Sequence, residues 1–215
     1  LSLKGRCSTN WATRSKKDVK YTLKYWLSND LFYYKFVKMK KNIDTIFLIG
    51  YMGAGKTITG KALSKSLGYK FYDLDKYIEM MEGKTVGEIF NQKKEIYFRK
   101  IENKYLNDLC LKKEKKIIST GGGTPCFDNN LKIINNSQNS ISIYLKASVD
   151  TLVERLINSM DTRPIISHLN DKNELNKFIS KHLFERSFYY ERSEIKITTD
   201  GLVTKDILSK IKEKI

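Results

Sequence analysis

One eight-residue segment constrains this chain more than any other. Residues 50–57 read GYMGAGKT, which satisfies the pattern GxxxxGK[ST] between an apolar, β-branched run and a predicted helix. Backbone N–H groups in such a loop turn toward phosphate oxygens, and the positive N-terminal end of the following helix attracts the same anion. Lysine in this pattern reaches the terminal phosphates, and the hydroxyl beside it binds Mg²⁺. The segment therefore predicts nucleotide binding. The expected ATP contacts are Gly53, Ala54, Gly55, Lys56 and Thr57.

Beyond residue 43, short β-branched or aromatic runs alternate with segments of helical periodicity. This alternation is typical of βαβ units, which assemble into a parallel sheet covered by helices. The predicted fold class is α/β, with three α/β/α layers, a five-stranded parallel sheet and ligands at the carboxyl ends of the strands. Predicted strands cover residues 45–49, 70–72, 116–119, 140–145 and 194–198. Predicted helices cover about 55–67, 75–81, 85–92, 94–113, 127–135, 148–159, 173–190 and 203–214.

Two carboxylates follow the second predicted strand, Asp73 and Asp75 in the segment FYDLD. On an extended segment their side chains point the same way, beyond the sheet edge where residues 50–57 bind phosphate. One carboxylate could hold a Mg²⁺-bound water while the other accepts the proton of an attacking hydroxyl. A pair of solvated or helix-capping aspartates is the alternative. Their position after a phosphate-binding loop favours the chemical interpretation.

A basic segment and a glycine-rich segment could complete an acceptor site. Arg99 and Glu102 are three residues apart in a predicted helix, so they share a face, and Glu102 can hold the guanidinium for a ligand that bears a carboxylate. An exposed ion pair is the alternative. Residues 121–123 are three glycines that follow the third predicted strand, where they permit close backbone approach to a ligand. A loose turn is the alternative there.

The chain carries a formal net charge of +16 at pH 7, which raises nucleic acid or an anionic membrane as a partner. Residues 1–38 contribute +7 of this charge, from nine basic and two acidic side chains. The remaining lysines are spread along predicted helices and loops, as on a solvated surface, and an electropositive cleft for an anionic substrate remains compatible. The longest apolar stretch is too short to span a bilayer. We expect neither a nucleic-acid nor a membrane partner.

The sequence changes character near Met39. Residues 1–38 show no sustained helical or strand period, whereas the residues after them read like a conventional start that runs into a buried strand. We interpret 1–38 as a basic N-terminal extension, disordered or not native, and 39–215 as one folded domain. A transit peptide is the alternative, which the many aromatic residues of the extension fit poorly.

Cysteine and histidine usage bears on location and on metal binding. The chain has three widely spaced cysteines without a CxxC pattern and two isolated histidines, which suggest neither a disulfide framework nor a zinc site. The predicted location is the cytoplasm, or a plastid if residues 1–38 are a transit peptide. A monomer is expected, since no amphipathic helix is left unaccounted for.

Taken together, these motifs resemble those of the shikimate kinase family, which has a nucleoside monophosphate kinase-like fold. The matching segments are GYMGAGKT at 50–57, DLD at 73–75, FRKIE at 98–102, TGGG at 120–123, Arg163-Pro164 in a polar loop, and Glu185-Arg186 followed by Tyr190. They stand in the family's order and cover about residues 43–214. The chain departs from the family pattern at Ile58, Lys94 and Phe188, where a small hydroxyl residue, a glycine and a proline are common.

The resemblance implies a P-loop kinase fold with a mobile lid, ATP-dependent phosphorylation of the 3-hydroxyl of shikimate, and Mg²⁺ as cofactor. By resemblance, Asp75 binds the acceptor hydroxyls and acts as the base, while Lys56 and Arg163 neutralise the transferring phosphoryl group. Arg163, in the lid, also contacts ATP. Thr57 and Asp73 hold the Mg²⁺. The implied substrate contacts are Asp75, Arg99, Gly121, Gly122 and Arg186.

Two other functions are compatible with parts of this pattern. A P-loop kinase could act on gluconate or a nucleoside monophosphate, since the loop itself does not specify the acceptor. Arginines at 99 and 186 favour a carboxylate on a small polyol. The second is a non-catalytic protein that binds nucleotide, or nucleic acid through its basic extension. Against it, Lys56, Thr57 and the two aspartates are all present.

Overall fold

The structure is a computed structural model that describes residues 42–159, 165–169 and 171–215. Two predictions lie outside the described residues, the N-terminal extension 1–38 and the position of Arg163 in the lid. None of the described helices combines the length and the apolar character needed to cross a membrane.

Five parallel strands form a single sheet, as predicted. Their spatial order is β2-β3-β1-β4-β5. Every residue of the central strand β1 is buried, because a parallel sheet is covered on both faces. Each predicted strand end agrees with the observed one to within one residue. The strands are β1 (Thr45–Ile49), β2 (Lys70–Asp73), β3 (Lys116–Ser119), β4 (Ser140–Lys146) and β5 (Ile195–Thr198).

Helices connect successive strands on both sides of the sheet. Helix α1 contacts α7, and α3 contacts α4. Right-handed crossovers place the first pair and the second pair on opposite faces, which gives the three predicted layers. The α-helices of the described residues are α1 (Lys56–Leu67), α2 (Leu74–Glu82), α3 (Val86–Leu111), α4 (Asn130–Asn136), α5 (Val149–Leu156), α6 (Lys172–Tyr190) and α7 (Thr204–Lys214).

Strand order determines where a site can form. Strand β1 lies between β3 and β4, and β2 lies beyond β3. Because all strands are parallel, the segments that follow β1, β2 and β3 leave the sheet at the same edge. These segments are residues 50–57, 73–75 and 120–123, which carry the motifs identified in the sequence.

Helix α3 contains one residue with non-helical geometry. Lys94 has φ 68° and ψ 173°, a region of backbone space that is populated almost only by glycine. The break separates the two helices predicted for residues 85–92 and 94–113. The break falls at a position where the family that the sequence motifs resemble commonly has glycine. Lys94 is therefore a strained position on the surface of the fold.

Replacing Lys94 with glycine is expected to stabilise the protein by about 1 kcal/mol. Relief of a strained backbone is worth ~1–3 kcal/mol, and the extra freedom of glycine in the unfolded chain removes part of that gain. The free energy of unfolding, measured by urea denaturation, checks this. Lys100→Gly is the matched control at an exposed position of the same helix, where glycine should cost about 1 kcal/mol. Equal destabilisation by both substitutions would contradict the strained conformation.

Candidate active site

The turn after β1 has the backbone shape of a phosphate-binding loop. Gly50 has φ 146°, and a Cβ atom there would lie 2.6 Å from the carbonyl oxygen of Leu145 in β4. Gly55 has φ 91° and directly precedes α1. Gly55 is the N-cap of α1 and has no side chain that could accept hydrogen bonds from the first-turn N–H groups. These N–H groups can therefore bind an anion.

The Lys56 side chain folds back into this turn and bonds to its backbone. Its Nζ donates to the carbonyl oxygens of Gly50 at 2.8 Å and Tyr51 at 2.9 Å. The side chain is buried, with a relative exposure of 9%. A lysine held in this way places its ammonium group beside the backbone donors of the loop, where phosphate oxygens would bind.

Thr57 and Asp73 are joined directly. The Thr57 hydroxyl donates to Asp73 Oδ2 at 2.8 Å, and Asp73 Oδ1 accepts from the backbone N–H of Lys76 at 3.4 Å. Hydroxyl and carboxylate oxygens are the ligands that Mg²⁺ prefers, usually with one or two carboxylates and the substrate phosphates. Among the described residues, no group of three or more His, Cys, Asp or Glu side chains is placed to hold a metal. This pair therefore fits a magnesium ion that is bound together with nucleotide.

The extended geometry that we predicted for residues 73–75 is wrong. Strand β2 ends at Asp73, which is the N-cap of α2, and Asp75 lies in the first turn of that helix. The cause is the capping preference of aspartate: Asp73 caps a helix that begins at Leu74, one residue before the predicted start. Both carboxylates nevertheless face the same cavities, because the strand end and the helix start share the carboxyl edge of the sheet.

Asp75 lies in an acidic and poorly solvated environment. Removal from water is the largest cause that raises its pKa, to about 6, and the neighbouring Asp73 and Glu102 carboxylates act in the same direction while Lys56 opposes them. Its Oδ1 is close to Gly121, since a Cβ atom on that glycine would lie 3.0 Å from it. A carboxylate with a pKa in this range is ionised at neutral pH and is still basic enough to take a proton.

Arg99 is fixed by ion pairs on two sides. Its guanidinium donates to Glu102 Oε2 at 2.9 Å and to Glu95 Oε1 at 3.0 Å. Glu102 is 1% exposed, and its other oxygen accepts from the Thr124 hydroxyl at 2.6 Å. The Arg99 guanidinium also lies 3.7 Å from the ring centroid of Phe127. Arg99 is thus a partly buried arginine, oriented by the buried Glu102 carboxylate, and not the exposed ion pair considered as the alternative.

The glycines after β3 allow close packing around these charges. A Cβ atom on Gly121 would lie 3.2 Å from Glu102 Oε1, and one on Gly123 would lie 3.0 Å from Arg99 Nη2. Side chains at these two positions would displace the charged groups. The turn is thus tightly packed and not loose.

Arg186 reaches the same region from α6. It is half-buried, and its guanidinium lies 5.7 Å from the ring centroid of Tyr51 in the phosphate-binding turn. In contrast to Arg99, it has no ion pair with any carboxylate of the described residues. An arginine in this state attracts an anionic ligand.

Two adjoining cavities bring the predicted residues together. The donor cavity, of about 670 Å³, contains residues 53–57 and Arg155. The acceptor cavity, of about 440 Å³, contains Arg99 and Arg186. Every predicted site residue within the described part of the chain lines one or both of them. The shared residues are Met52, Asp73, Asp75, Gly121 and Gly122.

Sequence reasoning missed two of the supporting residues, Thr124 and Phe127. Thr124 anchors Glu102, and Phe127 lies against Arg99. Arg155 donates from Nη1 to the carbonyl oxygen of Gly53 at 3.1 Å, and so supports the phosphate-binding turn. The Thr124 and Phe127 contacts join segments more than twenty residues apart. No local sequence pattern predicts these contacts.

Comparisons with known proteins place this chain among known relatives. A family model described as shikimate kinase matches residues 52–215. A shikimate kinase from Flavobacterium johnsoniae is 43% identical over 159 residues, which are 74% of this chain and 91% of the relative. A crystal structure of shikimate kinase from Bacteroides thetaiotaomicron has a TM-score of 0.74 at 36% identity, covering 79% of this chain and 97% of that one. The shikimate kinase from Acinetobacter baumannii in complex with shikimate has a TM-score of 0.72 at 29% identity, covering 81% of this chain and 93% of that one.

Proposed function

The chain belongs to the shikimate kinase family, and we propose on that basis that it transfers the γ-phosphoryl group of ATP to the 3-hydroxyl of shikimate. The observation that carries the proposal is the junction of the two cavities at Asp75, with phosphate-binding backbone on one side and two arginines on the other. Phosphoryl transfer depends chiefly on positioning the donor and the acceptor and on stabilising charge.

The acceptor cavity supports a small carboxylic acid as substrate. In the proposal, Arg99 and Arg186 bind the shikimate carboxylate, and Gly121 and Gly122 contact the ring through their backbone. Arg99 is already oriented by Glu102 at 2.9 Å, so little freedom is lost when the ligand binds. A nucleoside monophosphate kinase would in addition need groups that read a base.

Asp75 is the proposed base. As the shikimate 3-hydroxyl oxygen forms its bond to the γ-phosphorus, the hydroxyl proton passes to the Asp75 carboxylate, and the bond from phosphorus to the β–γ bridging oxygen breaks to release ADP. Its pKa of about 6 suits this exchange near neutral pH. The carboxylate also orients the hydroxyl before transfer.

The donor side supplies charge stabilisation. Residues 53–57 bind the ATP phosphates, and Lys56 neutralises charge that develops on the transferring group. Thr57 and Asp73 would hold Mg²⁺, which supplies Lewis-acid stabilisation of the phosphate oxygens when bound. Arg163, beyond the described residues, is proposed to contact ATP and the transferring phosphoryl group, as the family resemblance implies.

Replacing Arg99 with lysine is expected to lower kcat/KM for shikimate by ~10–100-fold, mainly through KM. Lysine keeps the charge but loses the planar fork that binds a carboxylate with two hydrogen bonds. Steady-state kinetics at saturating ATP measure the change. Arg192→Lys is the matched control, because Arg192 lies 4.1 Å from the Phe188 ring centroid and lines neither cavity. Similar KM values for both variants would contradict the assigned role.

The proposed function is tested by a coupled assay of ADP release from the full chain with ATP and Mg²⁺. Shikimate, gluconate and AMP are compared as acceptors at equal concentration. We expect release that depends on shikimate. Release with gluconate or AMP but not with shikimate would assign another acceptor, and nucleotide binding without any turnover would support the non-catalytic alternative.

The proposal includes a cytoplasmic monomer. The odd number of cysteines, without paired spacing, favours a reducing compartment. Light scattering on the purified full chain determines the mass in solution. A value near the 25.1 kDa of one chain supports the monomer, and twice that value contradicts it.

A further inference from the structure

Tyr190 links the two halves of the acceptor site. It is the last residue of α6, is completely buried, and its hydroxyl donates a hydrogen bond to the carbonyl oxygen of Gly122. Sixty-eight residues separate the two partners. A buried tyrosine hydroxyl normally has a polar partner. Here the partner is Gly122, which belongs to the glycine turn and lines both cavities.

Arg186 lies one helical turn before Tyr190. The two residues are four apart in α6, so their side chains lie on one face of the helix. Burial raises the pKa of the Tyr190 phenol above its ordinary value, and the nearby Arg186 guanidinium lowers it. Arg186 has no carboxylate partner among the described residues. The bond from Tyr190 to Gly122 therefore ties the Arg186 face of α6 to the glycine turn, beside a neutral phenol that leaves the guanidinium charge uncompensated.

The Gly122 contact fixes more than one atom. A trans peptide unit is planar, so the Gly122 carbonyl and the Gly123 N–H point in opposite directions. When Tyr190 holds the carbonyl, the direction of that N–H is fixed as well. Gly123 also lines the acceptor cavity, so the constraint extends to a backbone donor of the site.

We propose that Tyr190 is a positioning residue that sets Arg186 relative to the Gly122 peptide, and so makes the acceptor site selective for a carboxylate. The inference rests on the proposed function. Because a charged ligand group gains most from an oriented guanidinium, losing the hydroxyl should weaken the binding of a carboxylate more than that of a neutral isostere.

The test compares two acceptors, shikimate and the neutral carboxamide of shikimate. Tyr190→Phe removes only the hydroxyl. We expect kcat/KM for shikimate to fall ~10-fold, mainly through KM, as for one lost hydrogen bond to a charged group. The carboxamide value should change by less than ~2-fold, because a neutral group gains little from the oriented charge. The preference for the acid over the amide is therefore the readout, and a purely structural role would lower both values alike.

Tyr144→Phe is the matched control, since its ring lies 5.2 Å from that of Tyr190 and it is also buried. That variant should keep the full preference for the acid. An Arg186→Leu background should abolish the effect of Tyr190→Phe on the preference if the tyrosine acts through the arginine.

Each outcome has a distinct meaning. An unchanged preference in Tyr190→Phe, or an equal fall for both acceptors, would overturn the inference while wild-type turnover of shikimate leaves the proposed function intact. A wild-type protein that does not phosphorylate shikimate would contradict the proposed function itself.

If the phenylalanine variant does not fold, 3-fluorotyrosine at position 190 keeps the hydroxyl but makes it a weaker acceptor, and the preference should fall in the same direction. An unchanged preference in that variant would also overturn the inference.

Discussion

Replacing Asp75 with asparagine is expected to lower kcat for shikimate phosphorylation by ~10²–10⁴-fold, the range that one general base contributes. Asparagine has nearly the same shape and can still accept a hydrogen bond from the acceptor hydroxyl, but it cannot take the proton. Asp75 lines both cavities, so the loss should appear in kcat more than in the KM of ATP. Rapid-quench measurement of the chemical step checks this directly.

The same substitution is expected to raise the melting temperature. A raised carboxyl pKa means that ionisation is less favourable in the folded protein than in the unfolded chain, so at pH 7 the ionised Asp75 destabilises the fold. Removing the charge relieves this cost. A gain of about 1 kcal/mol corresponds to ~2–4 °C in a chain of this size. An inactive but more stable variant separates lost chemistry from lost folding.

Glu79→Gln is the matched control for Asp75→Asn. Glu79 also lines the acceptor cavity, but its carboxylate is bonded to Lys76 Nζ at 2.7 Å and to the Val86 N–H at 3.1 Å. Because both oxygens of the Glu79 carboxylate already accept hydrogen bonds, we do not expect Glu79 to take the substrate proton. Its replacement should therefore change kcat by less than ~10-fold. A larger loss from Glu79→Gln than from Asp75→Asn would assign the proton acceptor to Glu79.

Replacing Lys56 with methionine is expected to lower kcat by ~10²–10³-fold, as when one preorganised group that stabilises transition-state charge is removed. Methionine keeps much of the aliphatic length and removes the ammonium group. Lys56 also donates to the Gly50 and Tyr51 carbonyl oxygens, so the turn should lose support and ATP should bind more weakly. Calorimetric titration with ATP and steady-state kinetics separate these two effects.

Lys61→Met controls for the loss of one positive charge from the same helix. Lys61 is exposed on α1 and lines neither cavity. Its replacement should leave kcat and ATP affinity unchanged. A wild-type kcat in Lys56→Met would contradict the role assigned to this lysine.

Local patterns were sufficient for much of the fold. Strand β1 and the turn after it could be predicted because a buried β-branched run and a phosphate-binding pattern each impose their own geometry. The extended geometry predicted for residues 73–75 was wrong because alternation was given more weight than the capping preference of aspartate. Helix α4 begins at Asn130 and not at 127, after a turn in which Asp128 has φ 51°.

The residues that line the two cavities could be named from the sequence, but their contacts could not. The segments 50–57, 73–75 and 120–123 each follow a strand, so a parallel sheet was enough to bring them to one edge. Arg99 and Arg186 lie within helices α3 and α6, and the strand order alone does not place them. The long-range contacts of Thr124 with Glu102 and of Tyr190 with Gly122 depend on how distant segments pack. A single sequence holds no local signal for such contacts, and the burial of Glu102 followed only from the folded arrangement.

The most direct test of the central claim is the identity of the phosphorylated product. The full chain is incubated with ATP, Mg²⁺ and shikimate, and the product is analysed by ³¹P and ¹H NMR. We predict one phosphomonoester, with its phosphorus coupled to the proton on carbon 3, and one ADP for each shikimate consumed. Release of ADP and inorganic phosphate with shikimate unchanged, or a phosphate on another hydroxyl, would contradict the account.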